Sequence, residues 1–182
     1  MRWEALFADL ASQAEAAEAA ELADEVAERT RGEVARLRLV DRLRPSVGAP
    51  LVVACGPVIR GRLRALGPDW LLLAEDPAGE VLVSLAAVSW VQGLTASAAA
   101  PGGEGRVADR LDLRSALRGL VRDRAGVALV LRDASTLAGV LDRVGADHLE
   151  LAVTAPGEDR RRGAVRAVRA VPLTALALVR RH

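Results

Sequence analysis

The sequence predicts a mainly β chain: an N-terminal helix, then two tandem five-stranded small β-barrels, each preceded by a helix. Three observations predict it. A segment beginning at Gly61 returns 78 residues later. Each copy sits among short apolar runs separated by Gly, Pro and Asp. The first 31 residues carry neither feature and are dominated by Ala, Glu and Leu.

The repeat is ungapped. Gly61-Arg-Leu-Arg-Ala-Leu-Gly-Pro-Asp-Trp-Leu-Leu-Leu73 aligns with Gly139-Val-Leu-Asp-Arg-Val-Gly-Ala-Asp-His-Leu-Glu-Leu151, with six of thirteen positions identical. Similarity at one fixed offset indicates two copies of one folding unit. Further on, Val83-Ser-Leu-Ala-Ala-Val88 aligns with Val171-Pro-Leu-Thr-Ala-Leu176 at an offset of 88, so the second copy carries ten extra residues, including Arg160, Arg161 and Arg162.

Residues 2–31 predict a helix, with Trp3, Phe7 and Leu10 spaced for one face and Ala14 and Ala17 continuing it. An Ala-rich stripe buries little area and suits close helix–helix contact. Gly32 is expected to interrupt this helix, and a second helical piece, Glu33 to Arg44, to stop at Pro45. Residues 51–54, 58–66, 70–74, 81–85 and 88–92 then predict five short strands. In the second, Ile59, Gly61 and Leu63 alternate with Arg60, Arg62 and Arg64, the period of a half-buried strand. Gly61 and Gly139 fit a strand that bends sharply, where a side chain would crowd the interior.

Residues 95–107 are small and Gly/Pro-rich and predict a linker. A helix over 108–122 follows, then strands over 127–132, 136–144, 148–153, 165–173 and 175–179. The expected organisation is 1–32, an acidic Ala-rich helix; 33–94, helix and first barrel; 95–107, linker; 108–182, helix and second barrel. A barrel of about 60 residues is marginal alone, so the two are expected to pack on each other, on their helices or on another subunit.

Composition narrows the function classes. Hydrophobic residues reach 51% but aromatics only 2%, so the core is aliphatic. All 25 basic residues are Arg, and Lys, Asn and Tyr are absent, the bias of a GC-rich genome; codon pressure explains Arg over Lys before phosphate binding does. Residues 1–33 carry −6 and residues 34–182 carry +7, giving the net +1. A mildly basic body permits an anionic partner without requiring one. One cysteine, Cys55, excludes an intramolecular disulfide. No apolar run approaches the roughly 18 residues of a membrane span, and the acidic start lacks a signal core. The expectation is a soluble cytoplasmic protein.

The second copy is similar to the first half of an Sm-like (LSm) motif. Ala128-Leu-Val-Leu-Arg-Asp133, Thr136-Leu-Ala-Gly-Val-Leu-Asp142 and Asp147-His-Leu-Glu-Leu151 follow that family's run of apolar alternation, Asp, Gly-x-Leu, Asp and Leu-x-Leu. The first copy matches less well, with Cys55 where Asp133 stands. The resemblance covers roughly 47–94 and 123–181 and implies a small β-barrel behind a leading helix. Sm-like proteins hold single-stranded RNA at two turns. Here those turns read Asp69-Trp70 and Asp147-His148, without Asn, and Leu85-Ala-Ala87 and Leu173-Thr-Ala175, without an Arg-Gly step. The barrel is expected without that ligand signature. The opening Met-Arg-Trp-Glu-Ala-Leu-Phe-Ala-Asp-Leu also resembles uncharacterised proteins of high-GC bacteria.

Each candidate residue has a functional and a structural reading. Arg106, Arg110, Arg114, Arg118 and Arg122 recur every fourth position, giving either a phosphate-facing helix or a solvated amphipathic face. Arg160, Arg161 and Arg162 make a basic finger or a solvated loop. Arg60, Arg62 and Arg64 lack the interleaved aromatics of single-strand binders and read as edge-strand charges. His148 lies beside Asp147 and Glu150, but one His without a second ligand cluster is poor evidence of a site. Its counterpart is Trp70, so the position reads as a semi-exposed surface. Cys55 has no His or nearby base to make it a nucleophile.

If Leu71 and Leu73 face the core, Trp70 and Leu72 face outward on the first copy only, as an interface or as a surface covered by the N-terminal helix. Trp90 joins them as an interface candidate, as do Trp3, Phe7 and Leu10. The sequence therefore points to a non-enzymatic binding or assembly protein acting through protein–protein interaction. A protein partner or a homo-oligomer is expected, with no membrane and no cofactor, metal or catalytic residue. The alternative is a nucleic-acid-binding regulatory protein using its Arg-rich surfaces.

Overall fold

A computed structural model describes residues 2–77, 79–99, 111–153 and 167–181. The chain divides into two compact units, Met1–Arg38 and Leu39–His182.

The first unit is one helix, α1 (Arg2–Arg36). It runs through Gly32, where a break was expected. A single exposed glycine costs a helix interior about 1 kcal/mol relative to Ala, which a long helix absorbs, and nothing lies within 4 Å of the position a Cβ would take there. The helix ends on a tightened turn in which the Leu37 N–H reaches the Val34 carbonyl.

The second unit opens with a short helix, α2 (Leu39–Leu43), and a 3-10 turn over Arg44–Ser46 that contains Pro45. Five strands follow: β1 (Pro50–Ala54), β2 (Val58–Leu66), β3 (Trp70–Glu75), β4 (Gly79–Ser84) and β5 (Trp90–Gln92). Helix α3 (Leu113–Asp123) then leads β6 (Gly126–Leu131), β7 (Thr136–Val144), β8 (His148–Val153), β9 (Ala167–Pro172) and β10 (Leu176–Arg181). The expected linker over 95–107 is described only to residue 99, where Thr95, Ala96 and Ser97 carbonyls accept from the Arg42 guanidinium.

The ten strands form one open antiparallel sheet in the order β5-β1-β2-β3-β4-β10-β6-β7-β8-β9. The expectation was two barrels. Within each repeat the strands do take one common order, fifth-first-second-third-fourth, but neither group of five closes on itself. Instead β4 of the first repeat pairs with β10 of the second, placing Leu178 opposite Val83, Val179 opposite Leu82 and Arg180 opposite Val81. A partly buried ion pair, Arg180 to Glu75 at 3.0 Å, spans this joint.

The repeats bend alike. β2 carries a bulge between Leu63 and Ala65, and β7 carries one between Leu141 and Arg143, at equivalent positions. Such bulges sharpen strand twist. A Cβ on Gly61 would fall 2.5 Å from the Ala74 carbonyl oxygen, and one on Gly139 closer still to that of Ala152, so backbone approach excludes any side chain at both bends.

Two apolar cores result, and each borrows from the other repeat. The first gathers Leu51, Val53, Ile59, Leu63, Leu71, Leu73, Val81 and Val83 with Val130, Ala177 and Leu178. The second gathers Leu117, Leu129, Leu141, Leu149, Leu151 and Leu176 with Trp70 and Leu82. β2 is an interior strand, so Arg60, Arg62 and Arg64 are not edge charges as the sequence suggested; they line its exposed face, and Arg62 donates to the Gly48 carbonyl.

Candidate interaction surfaces

Helix α1 carries exposed large apolar side chains. Trp3 is 72% exposed, Phe7 65% and Leu10 51%, with Leu22, Val26 and Val34 also in solvent. The spacing places Trp3, Phe7 and Leu10 on one face.

Trp70 and Leu72 are placed differently. They do point away from the first core, as the alternation of β3 requires, but the second repeat covers them. Trp70 is only 6% exposed and Leu72 is half-buried, both against the second core. The indole Nε1 donates to the Leu111 carbonyl at 2.7 Å. This interface is internal to the chain, between repeats. A Cβ on Gly67 would collide with the Trp70 indole, and one on Gly145 would sit 2.6 Å from the His148 ring, so glycines at equivalent positions seat the two rings. His148 is nevertheless half-exposed, and its Nδ1 lies 2.8 Å from Asp147 Oδ1. That hydrogen bond holds the Asp147 carboxyl below its ordinary value. Among the described residues no cluster of three or more His, Cys, Asp or Glu side chains could hold a metal ion. Cys55 is buried, and desolvation pushes its thiol up to about 11, leaving it protonated at neutral pH.

Of the Arg stripe, Arg114, Arg118 and Arg122 lie among the described residues. Helix α3 begins at Leu113 under an Asp112 cap, whose carboxylate accepts from the Ser115 N–H at 2.9 Å. Hydrogen bonds from Ser115, then Arg114, hold the Asp112 carboxyl down at about 2. Arg114 is tied to Asp112 at 2.7 Å. Arg118 and Arg122 are exposed, form no ion pair among the described residues, and flank a groove of about 530 Å³ with Leu111, Ser115, Val121 and Val144. Arg106, Arg110, Arg160, Arg161 and Arg162 lie outside the described residues.

Trp90 remains as an exposed aromatic of the β body, 48% exposed on edge strand β5. The opposite edge is β9, exposed over 167–170. Sequence reading missed both edges because strand order is not written in local periodicity. The offset of 88 does carry the signal: it pairs exposed Trp90 with Leu178, which is wholly buried at the joint between repeats.

No helix among the described residues is long and apolar enough to cross a membrane. No protein-family model, curated protein or solved structure matches this chain.

Proposed function

We propose that this chain is a non-enzymatic, cytoplasmic binding or assembly protein, built on two Sm-like five-stranded folds in tandem and working through protein–protein contact. The observation that carries the reading is the apolar face of α1, with Trp3, Phe7 and Leu10 all more than half exposed. A Trp, a Phe and a Leu on one solvent-facing stripe are costly unless a partner covers them. The common strand order and the equivalent bulges and bend glycines of the two repeats support the Sm-like part.

The test is retention of host proteins on the immobilised full chain after nuclease treatment, against a Trp3→Ala/Phe7→Ala/Leu10→Ala variant. Retention by the native chain and its loss in the variant is the expected result. Equal retention by both would remove α1 from the reading.

Arg118 and Arg122 favour a second reading, nucleic-acid binding along α3, because both guanidiniums are exposed beside a groove. It predicts affinity for an RNA or DNA oligonucleotide that falls steeply with salt and drops in Arg118→Ala/Arg122→Ala. Absence of binding at about 50 mM salt would end it.

A further inference from the structure

We propose that the α1 face of one copy of this chain docks in the groove beside α3 of a second copy. The inference rests on the reading that this face meets a protein, and it names that protein.

The α1 face has two halves. Trp3, Phe7 and Leu10 form its exposed apolar half. Steps of three and four residues along the same face then reach Ala17, Glu18 and Glu21, all exposed. Two α1 helices do not suit one another, because residues 1–33 carry −6 and juxtaposed like charges repel. The surface that fits is apolar at one end and basic at the other.

The groove beside α3 has that form. Ser115, Arg118 and Arg122 line one face of the helix, and Leu111 stands just before its start. Leu111 is 43% exposed, and Val121 and Val144 complete the apolar wall. The acids at the two ends of α3 are committed elsewhere, Asp112 to Arg114 at 2.7 Å and Asp123 to Arg181 at 3.2 Å. Arg118 and Arg122 therefore present positive charge that no acid among the described residues neutralises.

The spacing matches as well. Phe7 and Glu18 stand as far apart in sequence as Leu111 and Arg122. A parallel alignment sets Phe7 and Leu10 beside Leu111, the small Ala17 against Val121, and Glu18 and Glu21 beside Arg118 and Arg122. The antiparallel alignment sets Glu18 and Glu21 against the Asp112 carboxylate and is disfavoured. Burial of Phe7 and Leu10 supplies the attraction, while the solvent-facing Glu–Arg pairs fix direction and register. Nucleic acid suits this groove less well, since α3 carries no aromatic on which a base could stack.

Sedimentation of the nuclease-treated full chain from about 1 to about 200 µM, the range of micromolar contacts, should show masses rising above 19.1 kDa. Added salt should weaken the association. Glu18→Arg/Glu21→Arg and Arg118→Glu/Arg122→Glu should each weaken it about tenfold or more, because like charges then meet. All four side chains are exposed, so neither change touches a core. Mixed in equal amounts, the two variants should associate as the native chain does, since each helix then finds a groove of opposite charge on the other variant. A chain of 19.1 kDa at every concentration overturns the proposal, as do association indifferent to either charge reversal and a mixture no stronger than its components. Association that appears only on adding an RNA or DNA oligonucleotide assigns Arg118 and Arg122 to nucleic acid and overturns it too. A monomer that still retains host protein through Trp3, Phe7 and Leu10 sinks this proposal and leaves the reading it rests on standing. A monomer that retains nothing sinks both.

Discussion

The carboxylate of Asp69 accepts the backbone N–H of Leu113 at 2.8 Å, so a turn in the first repeat holds the first residue of the helix that leads the second. Trp70, the next residue, donates its indole N–H to the Leu111 carbonyl, just before that helix. Burial pushes the Asp69 carboxyl above its ordinary value while the Leu113 N–H pulls it back. The two repeats are thereby fastened at the N-terminus of α3 as well as along the β4–β10 ladder.

Asp69→Ala removes a partner from one N–H at the start of α3 and should lower unfolding stability by about 1 kcal/mol, the usual cost of a lost helix-start acceptor. Trp70→Phe keeps most of the packing but loses the hydrogen bond to Leu111, again about 1 kcal/mol. Trp70→Ala empties the contact between cores and should cost about 3–5 kcal/mol. Urea midpoints of the variants, at unchanged slope, measure all three. A Trp70→Ala midpoint equal to that of the native chain would mean the repeats are not held through this side chain.

Gly61→Ala and Gly139→Ala should each destabilise the β body by more than about 2 kcal/mol, the scale of overpacking a close backbone contact. The obstacle is carbonyl oxygen of the neighbouring strand, Ala74 in one case and Ala152 in the other, which has no rotamer to change. Because the two sites are equivalent, their thermal shifts should be alike. A neutral effect at either position would show that the bend can open.

Asp112 gives a pH dependence with a defined sign. Its folded value of about 2 lies below the ordinary 3.8, so its contribution to stability is fully present above about pH 4 and is lost as pH falls towards 2. Asp112→Asn keeps a capping oxygen without the charge. The stability difference between native chain and variant should therefore shrink across that window and be constant above it. Urea unfolding at stepped pH measures it; a difference that does not change between pH about 5 and about 2 would rule out the Asp112 charge as its source.

The strands were legible in the sequence because their signal is local. Alternation from Ile59 to Arg64 and the turn glycines mark β2 and its neighbours, and the 78-residue offset transfers those marks to the second copy. The joining of β4 to β10 was not legible, since a pairing between Val83 and Leu178 leaves no trace in the periodicity of either segment. The covering of Trp70 was not legible for the same reason: the side chains packed with it, Leu113 and Leu117 among them, come from more than 40 residues along the chain. Trp3, Phe7 and Leu10 were legible because helix spacing alone puts them together.

Gly32 marks the limit of reading a glycine by type. The sequence reads Gly61 as a bend within a strand and Gly32 as an interruption of a helix, yet α1 continues through Gly32 to Arg36. The difference is the surroundings: a Cβ on Gly61 meets backbone, whereas one on Gly32 meets nothing within 4 Å. Gly32→Ala should therefore stabilise α1 by about 1 kcal/mol, the helix-interior difference between the two residues. Because α1 and the β body are separate compact units, the gain should appear as slower amide exchange around residues 28–36, with exchange in β1–β10 unchanged. Faster exchange there would mean that the helix needs a glycine at this point.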